Sequence, residues 1–196
     1  TVPLELSKIP EGTLTINGKA LINGSDFLAF KAAVGNFDEL VYVGYGIDSE
    51  SYTDYANVDV SGKWLIMKAG EPQDSNGNYI LSGSTEPSQW SNQSEAIGKR
   101  TEVVKAKGAL GYFFIDDLNF SRYTRYFNYM RRNESGQMGL RNDSKDPVMM
   151  LLTSEVSNIL FPELSTAASS TPISASVNLN LNSADEFIES ENVVAF

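Results

Sequence analysis

The feature that most constrains the fold is a strict alternation of apolar and polar residues from Ile173 to Leu181. Apolar side chains stand at every second position, with serine and asparagine between them. Successive side chains of a β-strand point to opposite faces of its sheet, so this spacing predicts a strand rather than a helix. One face of that strand must be buried while the other stays wet. The chain therefore contains a sheet that has a core on one side and solvent on the other.

Four shorter apolar segments predict further strands that are mostly buried. They cover residues 40–43, 64–67, 110–115 and 147–152. A helical pattern that begins at Ser94 and ends before Gly108 lies between the second and third of these strands. A strand, a helix and another strand with short connections indicate a βαβ-like unit. A short helix is also predicted after the fourth strand, from Thr153 or Ser154 to Phe161.

The N-terminal residues carry turn signals. Asn17-Gly18 lies between two alternating apolar segments and predicts a hairpin with a type I′ turn. Residues 1–12 contain Pro3 and Pro10, which predicts an irregular segment. Residues 25–33 fit a short helical turn that Ser25 or Asp26 would cap, although the same residues also suit a short strand.

The residue types exclude most catalytic designs. The sequence has no Cys and no His, which removes thiolate nucleophiles, Cys-based metal sites and the commonest general base. A carboxylate pair and a Ser/Lys arrangement remain. Asp116-Asp117 follows a buried strand, but adjacent residues of an extended chain point in opposite directions, which favours a capping role for one of them. Ser61 and Lys63 flank a turn into a strand, which gives no basis for a catalytic assignment.

Charge is distributed unevenly along the chain. The formal net charge is −10, which argues against nucleic acid as a main partner. Residues 118–146 carry six basic and three acidic residues, hence +3, so the remainder carries −13. Within that window Phe120, Tyr123, Phe127 and Met130 form one apolar stripe at helical spacing, which predicts a core-facing side. The arginines lie off the stripe, and an exposed helix with a solvated edge explains them most simply, although such a patch can also steer a partner.

The polar segment 70–93 is the longest loop-like stretch, and long ordered loops are often functional. Asp74, Asn76 and Asn78 place side-chain oxygens at alternate positions, as a calcium loop does. The EF-hand pattern then needs Gly and an acid where this chain has Tyr79 and Thr85. We therefore expect an Asn-Gly turn without a metal. No apolar run approaches the roughly 18 residues of a membrane span.

Two stretches resemble a known family. Gly44-Tyr45-Gly46, followed by Tyr52-x-Asp54-Tyr55-Ala56-x-Val58-Asp59-Val60-x-Gly62-Lys63, resembles the opening of the protease-associated (PA) domain of secreted zinc aminopeptidases, the group related to glutamate carboxypeptidase and the transferrin receptor. The pattern continues with Lys99, Lys105, Ala106 and Gly108-Ala109 before an apolar strand, then with Pro147-Val148-Met149 before Thr153. The similarity covers about residues 38–196. The long helix at 118–132 and the loop at 74–92 depart from the family pattern.

The resemblance implies a fold of mixed α and β structure, an open β-barrel or sandwich of about seven strands flanked by two or three helices, of the swivelling β/β/α type. It implies no catalytic, cofactor-binding or metal-binding residue in this chain. Zinc would be bound in the catalytic domain of a parent peptidase, into which the PA domain is inserted. The domain's termini should then lie close together. A secreted, periplasmic or cell-surface location would follow.

The resulting prediction is a non-catalytic accessory domain that gates or recognises peptide substrate, with the parent peptidase domain and a peptide or protein substrate as partners. Residues 1–37 would form a flank with the hairpin, residues 38–182 the core, and residues 183–196 a return segment toward the parent. The predicted contact residues are Trp90, Arg122, Arg125, Tyr126 and Tyr129. Two alternatives stay open: a free-standing carbohydrate-binding or adhesion module that uses Trp90 as a stacking platform, and the PA insert of a subtilisin-like protease.

Overall fold

A computed structural model of the chain describes residues 2–92, 95–133, 136–140, 146–167, 169–184 and 186–190. The strands are β1 (Val2–Ser7), β2 (Glu11–Ile16), β3 (Lys19–Leu21), β4 (Phe27–Ala29), β5 (Ala33–Tyr42), β6 (Trp64–Lys68), β7 (Gly111–Ile115), β8 (Gln137–Leu140), β9 (Val148–Leu152), β10 (Thr171–Asn182) and β11 (Glu186–Ser190). The helices are α1 (Ala96–Ala106), α2 (Asp117–Arg132) and α3 (Ser154–Leu160), followed by a 3₁₀ turn at Pro162–Ser165. Among the described residues, none of the helices combines the length and hydropathy that a bilayer crossing needs.

Eight of the strands form one sheet in the order β3-β2-β10-β5-β6-β7-β9-β4. The four strands from β5 to β9 pair in parallel, and their neighbours on both sides pair antiparallel. The sheet curves into a nearly closed barrel flanked by the three helices, which confirms the predicted fold class. The remaining strands form a separate antiparallel sheet in the order β11-β1-β8.

Strand β10 has the two faces that its sequence predicts. Ile173, Ala175, Val177, Leu179 and Leu181 are all buried, and the residues between them from Ser174 to Asn180 are exposed. The buried face lines the barrel interior together with residues of β2, β5 and β9. Burial of this apolar row on one side fixes the register, since a shift by one residue would move every apolar side chain into water.

The central strands divide their side chains between two cores. In β6, Trp64 and Ile66 join the barrel interior, whereas Leu65 and Met67 face a second cluster on the helix side. Both faces of these strands are covered, so their sequences are continuously apolar rather than alternating. The predicted βαβ unit is confirmed: α1 connects β6 to β7, and the two strands pair in parallel from Trp64 opposite Gly111 onward.

The hairpin prediction is also confirmed, since β2 and β3 pair antiparallel across Asn17 and Gly18, which have φ angles of 50° and 77°. The helical turn predicted at 25–33 is wrong: Phe27–Ala29 is strand β4, paired with β9. Leu28 lies in the helix-side core and Phe27 in the barrel interior, so tertiary burial on both faces decided between two local possibilities.

The N-terminal segment differs from its prediction as well. Residues 2–7 form β1, which pairs with β11 and β8 rather than remaining irregular. Those partners lie far away in sequence, and no local pattern announces such pairing. The division into 1–37, 38–182 and 183–196 stays a prediction, although β5 runs across the proposed boundary at 37. The apolar end of the chain, residues 191–196, lies outside the described residues.

Candidate functional site

Helix α2 is held in place by its N-terminal cap and by one apolar side. The Asp116 carboxylate accepts a hydrogen bond from the Asn119 backbone N–H at 2.9 Å, which begins the helix. Phe120, Phe127 and Met130 are buried, and the two phenylalanines lie in the helix-side core with Leu28 and Leu151. The predicted core-facing stripe is therefore confirmed.

The opposite side of α2 is open to solvent. We define the α2 outer face as Leu118, Arg122, Arg125, Tyr126 and Tyr129; each of them lies three or four positions from another member, so they share one side of the helix. Leu118 is 60% exposed, Tyr129 is 61% exposed and Tyr126 is 44% exposed. Both arginines are also exposed. Four of the five predicted contact residues are thus adjacent on one surface.

Part of this surface is ordered by aromatic packing. The Tyr126 ring stacks on Phe30 with centroids 6.0 Å apart and planes inclined by 25°. Phe30 in turn contacts the buried ring of Phe127 edge to face at 5.5 Å. Tyr126 therefore rests on a fixed ring that connects it to the core, whereas Tyr129 projects with most of its surface in water. In the described part of the chain, no carboxylate lies within 4.0 Å of the guanidinium of Arg122 or Arg125.

Trp90, the fifth predicted contact residue, is buried. Its side chain is only 8% exposed, with the Lys99 ammonium 5.8 Å and the Arg100 guanidinium 5.7 Å from the ring centroid. The prediction of an exposed platform is wrong because the loop folds back onto α1. Glu71, itself buried, anchors this return by accepting hydrogen bonds from the Ser88 N–H at 2.8 Å and hydroxyl at 2.7 Å.

The segment that carries the family resemblance surrounds a buried carboxylate. Asp54 is 1% exposed and accepts hydrogen bonds from the backbone N–H groups of Tyr45 and Ile47 at 3.1 and 3.0 Å, and from the Tyr52 hydroxyl at 2.7 Å. Burial raises the pKa of Asp54 above its ordinary value, against the lowering effect of these bonds. Burial and the neighbouring carboxylate likewise raise the pKa of Tyr52. The hydrogen bonds hold the carboxylate in place and orient it into the loop.

Gly44 and Gly46 make that loop possible. Their φ angles are +54° and +66°, in the region that only glycine adopts without strain. A Cβ on Gly44 would overlap the Asp54 carboxylate, and a Cβ on Gly46 would overlap the Met67 sulfur. The two glycines therefore serve a tight backbone passage around Asp54.

Sequence reasoning missed Arg100, which organises the same region. Its guanidinium is fully buried and donates to four backbone carbonyls: Tyr45 at 2.7 Å, Gly70 at 2.8 Å, Trp90 at 2.9 Å and Ala96 at 3.0 Å. It thereby joins the Gly44–Asp54 loop, both ends of the 70–93 loop and α1. A signal was present, because residue 100 lies four positions from both Ala96 and Val104, the buried side of α1. A charge on the apolar side of a helix indicates a buried polar network.

The adjacent carboxylates at the end of β7 serve two different helices. Asp116 caps α2, and Asp117 accepts hydrogen bonds from the Ser154 N–H at 2.8 Å and hydroxyl at 2.5 Å at the start of α3. They border an open cleft of about 500 Å³ at the carboxyl ends of β5, β6 and β7, which Tyr42 and Lys68 also line. Because each carboxylate is engaged by a separate helix terminus, the two do not act as a pair. The predicted capping role of one of them is confirmed, and the other accepts hydrogen bonds from Ser154.

The Asp74–Asn78 loop and the Ser61/Lys63 pair, the two other candidate motifs, have partners within the protein. One Asp74 oxygen accepts hydrogen bonds from the Asn76 and Asn78 N–H groups at 2.8 and 2.9 Å, which is a turn of the predicted kind. Lys63 forms an ion pair with Glu39 at 2.9 Å, so its amine is engaged by a carboxylate. Across the described residues, no group of three or more acidic side chains is arranged to bind a metal ion.

Comparison with known proteins gives only distant likenesses. No protein-family model matches the sequence, and no curated protein matches it. The structure is similar to an aminopeptidase from Aneurinibacillus sp. strain AM-1, with a TM-score of 0.48 and 15% identity over 94% of this chain and 34% of that one. It is also similar to a peptidase M28 precursor from Shewanella amazonensis SB2B, with a TM-score of 0.39 and 12% identity over 95% of this chain and 37% of that one. The chain thus spans about a third of each of these proteins, and such values assign it no activity.

Proposed function

We propose that this chain is a non-catalytic accessory domain of the PA type, inserted in a zinc-dependent aminopeptidase, where it contacts or gates peptide substrate. The observation that supports the proposal is the structural role of residues 44–63, the segment that resembles the PA domain. Its glycines and Tyr52 form a closed scaffold around the Asp54 carboxylate, which Arg100 joins through the Tyr45 carbonyl, instead of an open site. Accessory domains that share no chemistry should share residues that the fold needs. Residues 44–63 have such a structural role.

The arrangement of the outermost strands supports insertion. β1 and β11 pair antiparallel, with Val2 opposite Ser190 and Leu6 opposite Glu186. The two ends of the described chain therefore lie side by side, as a domain that leaves and rejoins a host domain at one place requires. The separate three-stranded sheet built on these strands would then face the host.

Zinc would be supplied by the host domain. A catalytic zinc site needs three protein ligands, usually with at least one His, and the sequence contains no His. What this chain would contribute is surface: the α2 outer face exposes aromatic and arginine side chains, the residue types that dominate binding energy in protein interfaces. A secreted or periplasmic location remains part of the proposal.

Two measurements test the proposal. The purified chain, supplied with zinc, should release no nitroaniline from aminoacyl-nitroanilides, and measurable turnover would refute the non-catalytic assignment. The coding sequence on both sides should encode a domain with His, Asp and Glu zinc ligands. A stop codon near residue 196 would instead favour a free-standing module. A flanking Ser/His/Asp protease domain would favour the subtilisin-like alternative.

The carbohydrate-binding alternative has lost its main support. It needed Trp90 as an exposed stacking platform, and Trp90 is covered by Lys99 and Arg100. The second tryptophan, Trp64, is 6% exposed and stacks on Phe37 within the barrel wall at 5.6 Å. Neither indole presents a free face of the kind that a sugar ring would cover.

A further inference from the structure

We propose that the α2 outer face binds a short acidic polypeptide segment, whose carboxylates pair with Arg122 and Arg125 while its apolar side chains pack on Tyr126 and Tyr129. The inference deepens the proposed function, on which it rests for the source of the segment, which is the peptide substrate.

The kind of cation is the first argument. The chain has six arginines and nine lysines, yet four arginines and no lysine lie on α2. Solubility alone would be served equally well by lysine. Arginine presents a planar group that matches a carboxylate with two parallel hydrogen bonds and also stacks on aromatic rings. Its concentration on this helix indicates recognition of carboxylates.

The unpaired charge is the second argument. Arg122 and Arg125 are one turn apart, a spacing at which like charges destabilise an isolated helix by about 0.2–0.5 kcal/mol. Neither has a carboxylate within 4.0 Å in the described part of the chain, whereas Lys63, Lys105 and Lys107 each have one. With Asp117 as its single acid, α2 carries +3, so the rest of the chain carries −13. A partner with carboxylates would relieve the repulsion that the described part of the chain leaves uncompensated.

The dimensions restrict the partner to a short segment. From Leu118 to Tyr129 the helix rises about 16 Å, which is the length of about five residues of extended peptide. A long polyanion would extend beyond this face onto a surface of the opposite preference, since the remaining −13 would repel it. Two copies of a chain with a net charge of −10 would repel each other in the same way. A short acidic segment avoids both penalties.

The aromatic residues supply the contact area. Tyr129 is 61% exposed, and Tyr126 is 44% exposed while held against Phe30. Tyrosine offers a large rigid surface with little loss of side-chain entropy on binding, and it is enriched with arginine at binding hot spots. A segment that carries Phe or Leu among its acids would therefore bind better than one with acids alone.

The test measures binding of short labelled peptides to the full 196-residue chain by fluorescence anisotropy. A peptide of Glu, Asp and Phe should bind, and the matched peptide of Gln, Asn and Phe should bind about tenfold more weakly or worse. Binding should also weaken as the salt concentration rises from about 0.05 to 0.5 M, because screening acts on exposed charge pairs. An acidic peptide that does not bind, or binds no better than its amide counterpart, would overturn the inference.

A matched pair of double variants separates the site from bulk charge. R122Q/R125Q should weaken binding of the acidic peptide about tenfold or more, since it removes both guanidinium groups that would pair with the peptide carboxylates. K19Q/K105Q removes the same charge from exposed lysines elsewhere and should change the affinity by about twofold at most. All four side chains are exposed, so circular dichroism and the unfolding midpoint should be unchanged in both. Equal losses of affinity in the two variants would show that net charge alone explains the binding, and would refute the proposed site.

Two further outcomes decide between partners. Heparin that binds as tightly as the acidic peptide would identify a general polyanion surface and refute the proposal. A concentration-dependent dimer in light scattering that R122Q/R125Q abolishes would assign the face to a second copy instead. The proposed function fails separately: turnover of an aminoacyl-nitroanilide refutes the accessory role without affecting peptide binding, and absent binding leaves the accessory role intact.

Discussion

Replacement of Arg100 by Met tests whether one buried guanidinium holds the loops of this protein in place. The four hydrogen bonds range from 2.7 to 3.0 Å and end on carbonyls of three separate segments and of α1 itself. Bonds to a charged group contribute about 1.5–3 kcal/mol each, which gives an upper limit of about 6–12 kcal/mol for four. Met fills a similar volume without donating to any of the carbonyls.

The net loss should be smaller than that limit for two reasons. The Ala96 carbonyl lies within α1, where a backbone N–H also serves it, and Met avoids the desolvation that burial of a cation requires. A buried acceptor left without a donor costs about 1–3 kcal/mol, so the other three carbonyls together would cost about 3–9 kcal/mol, and we expect R100M to lose about 3–5 kcal/mol after the desolvation gain. Against a total stability of about 5–15 kcal/mol this is a large fraction.

Urea denaturation followed by circular dichroism measures the change in the free energy of unfolding. Trp90 fluorescence should report loosening of the 70–93 loop at lower urea, because the indole packs 5.7 Å from the guanidinium. K99M is the matched control: it removes the neighbouring cation of α1, whose described contact is the Trp90 ring at 5.8 Å, and should cost about 1 kcal/mol or less. An R100M variant destabilised by less than about 1 kcal/mol would refute the assignment of Arg100 as the organising residue.

Three further predictions concern the scaffold. Because burial raises the folded-state pKa of Asp54, its ionisation opposes folding: the stability that protonation provides is complete below the unfolded pKa of about 3.9 and is lost as the pH rises through the folded pKa. The stability difference between wild type and D54N should therefore decline over that window in urea titrations, and a constant difference would contradict it. In β10, L179A should lose about 2–5 kcal/mol by thermal denaturation and N178A about 0.5 kcal/mol or less, since only Leu179 is buried; similar losses would contradict the register. Calorimetric titration of calcium should give no saturable heat, because one Asp74 oxygen already accepts two backbone hydrogen bonds, and a stoichiometric tight heat would disprove the metal-free turn.

Local periodicity was sufficient for much of the fold. The two faces of β10, the hairpin at Asn17-Gly18 and the buried side of α2 all follow from spacing, because a helix or a strand presents its residues to the core at a fixed period. The helix-side position of Arg100 followed the same rule and could have been found from its spacing with Ala96 and Val104. The pairing between β1 and β11 could not have been found from spacing, since it joins residues that are nearly the whole chain apart.

By itself, then, the sequence determined β10, the buried central strands and the three helices, the apolar side of β10 and α2, and that neither imidazole nor thiol is present for chemistry. Only the tertiary structure decided which polar groups are accessible. Trp90 and Arg122 both stand in polar, charged surroundings in the sequence, yet one is covered by α1 and the other faces water. Accessibility depends on what packs above a residue, and the covering atoms come from segments that the local pattern does not contain.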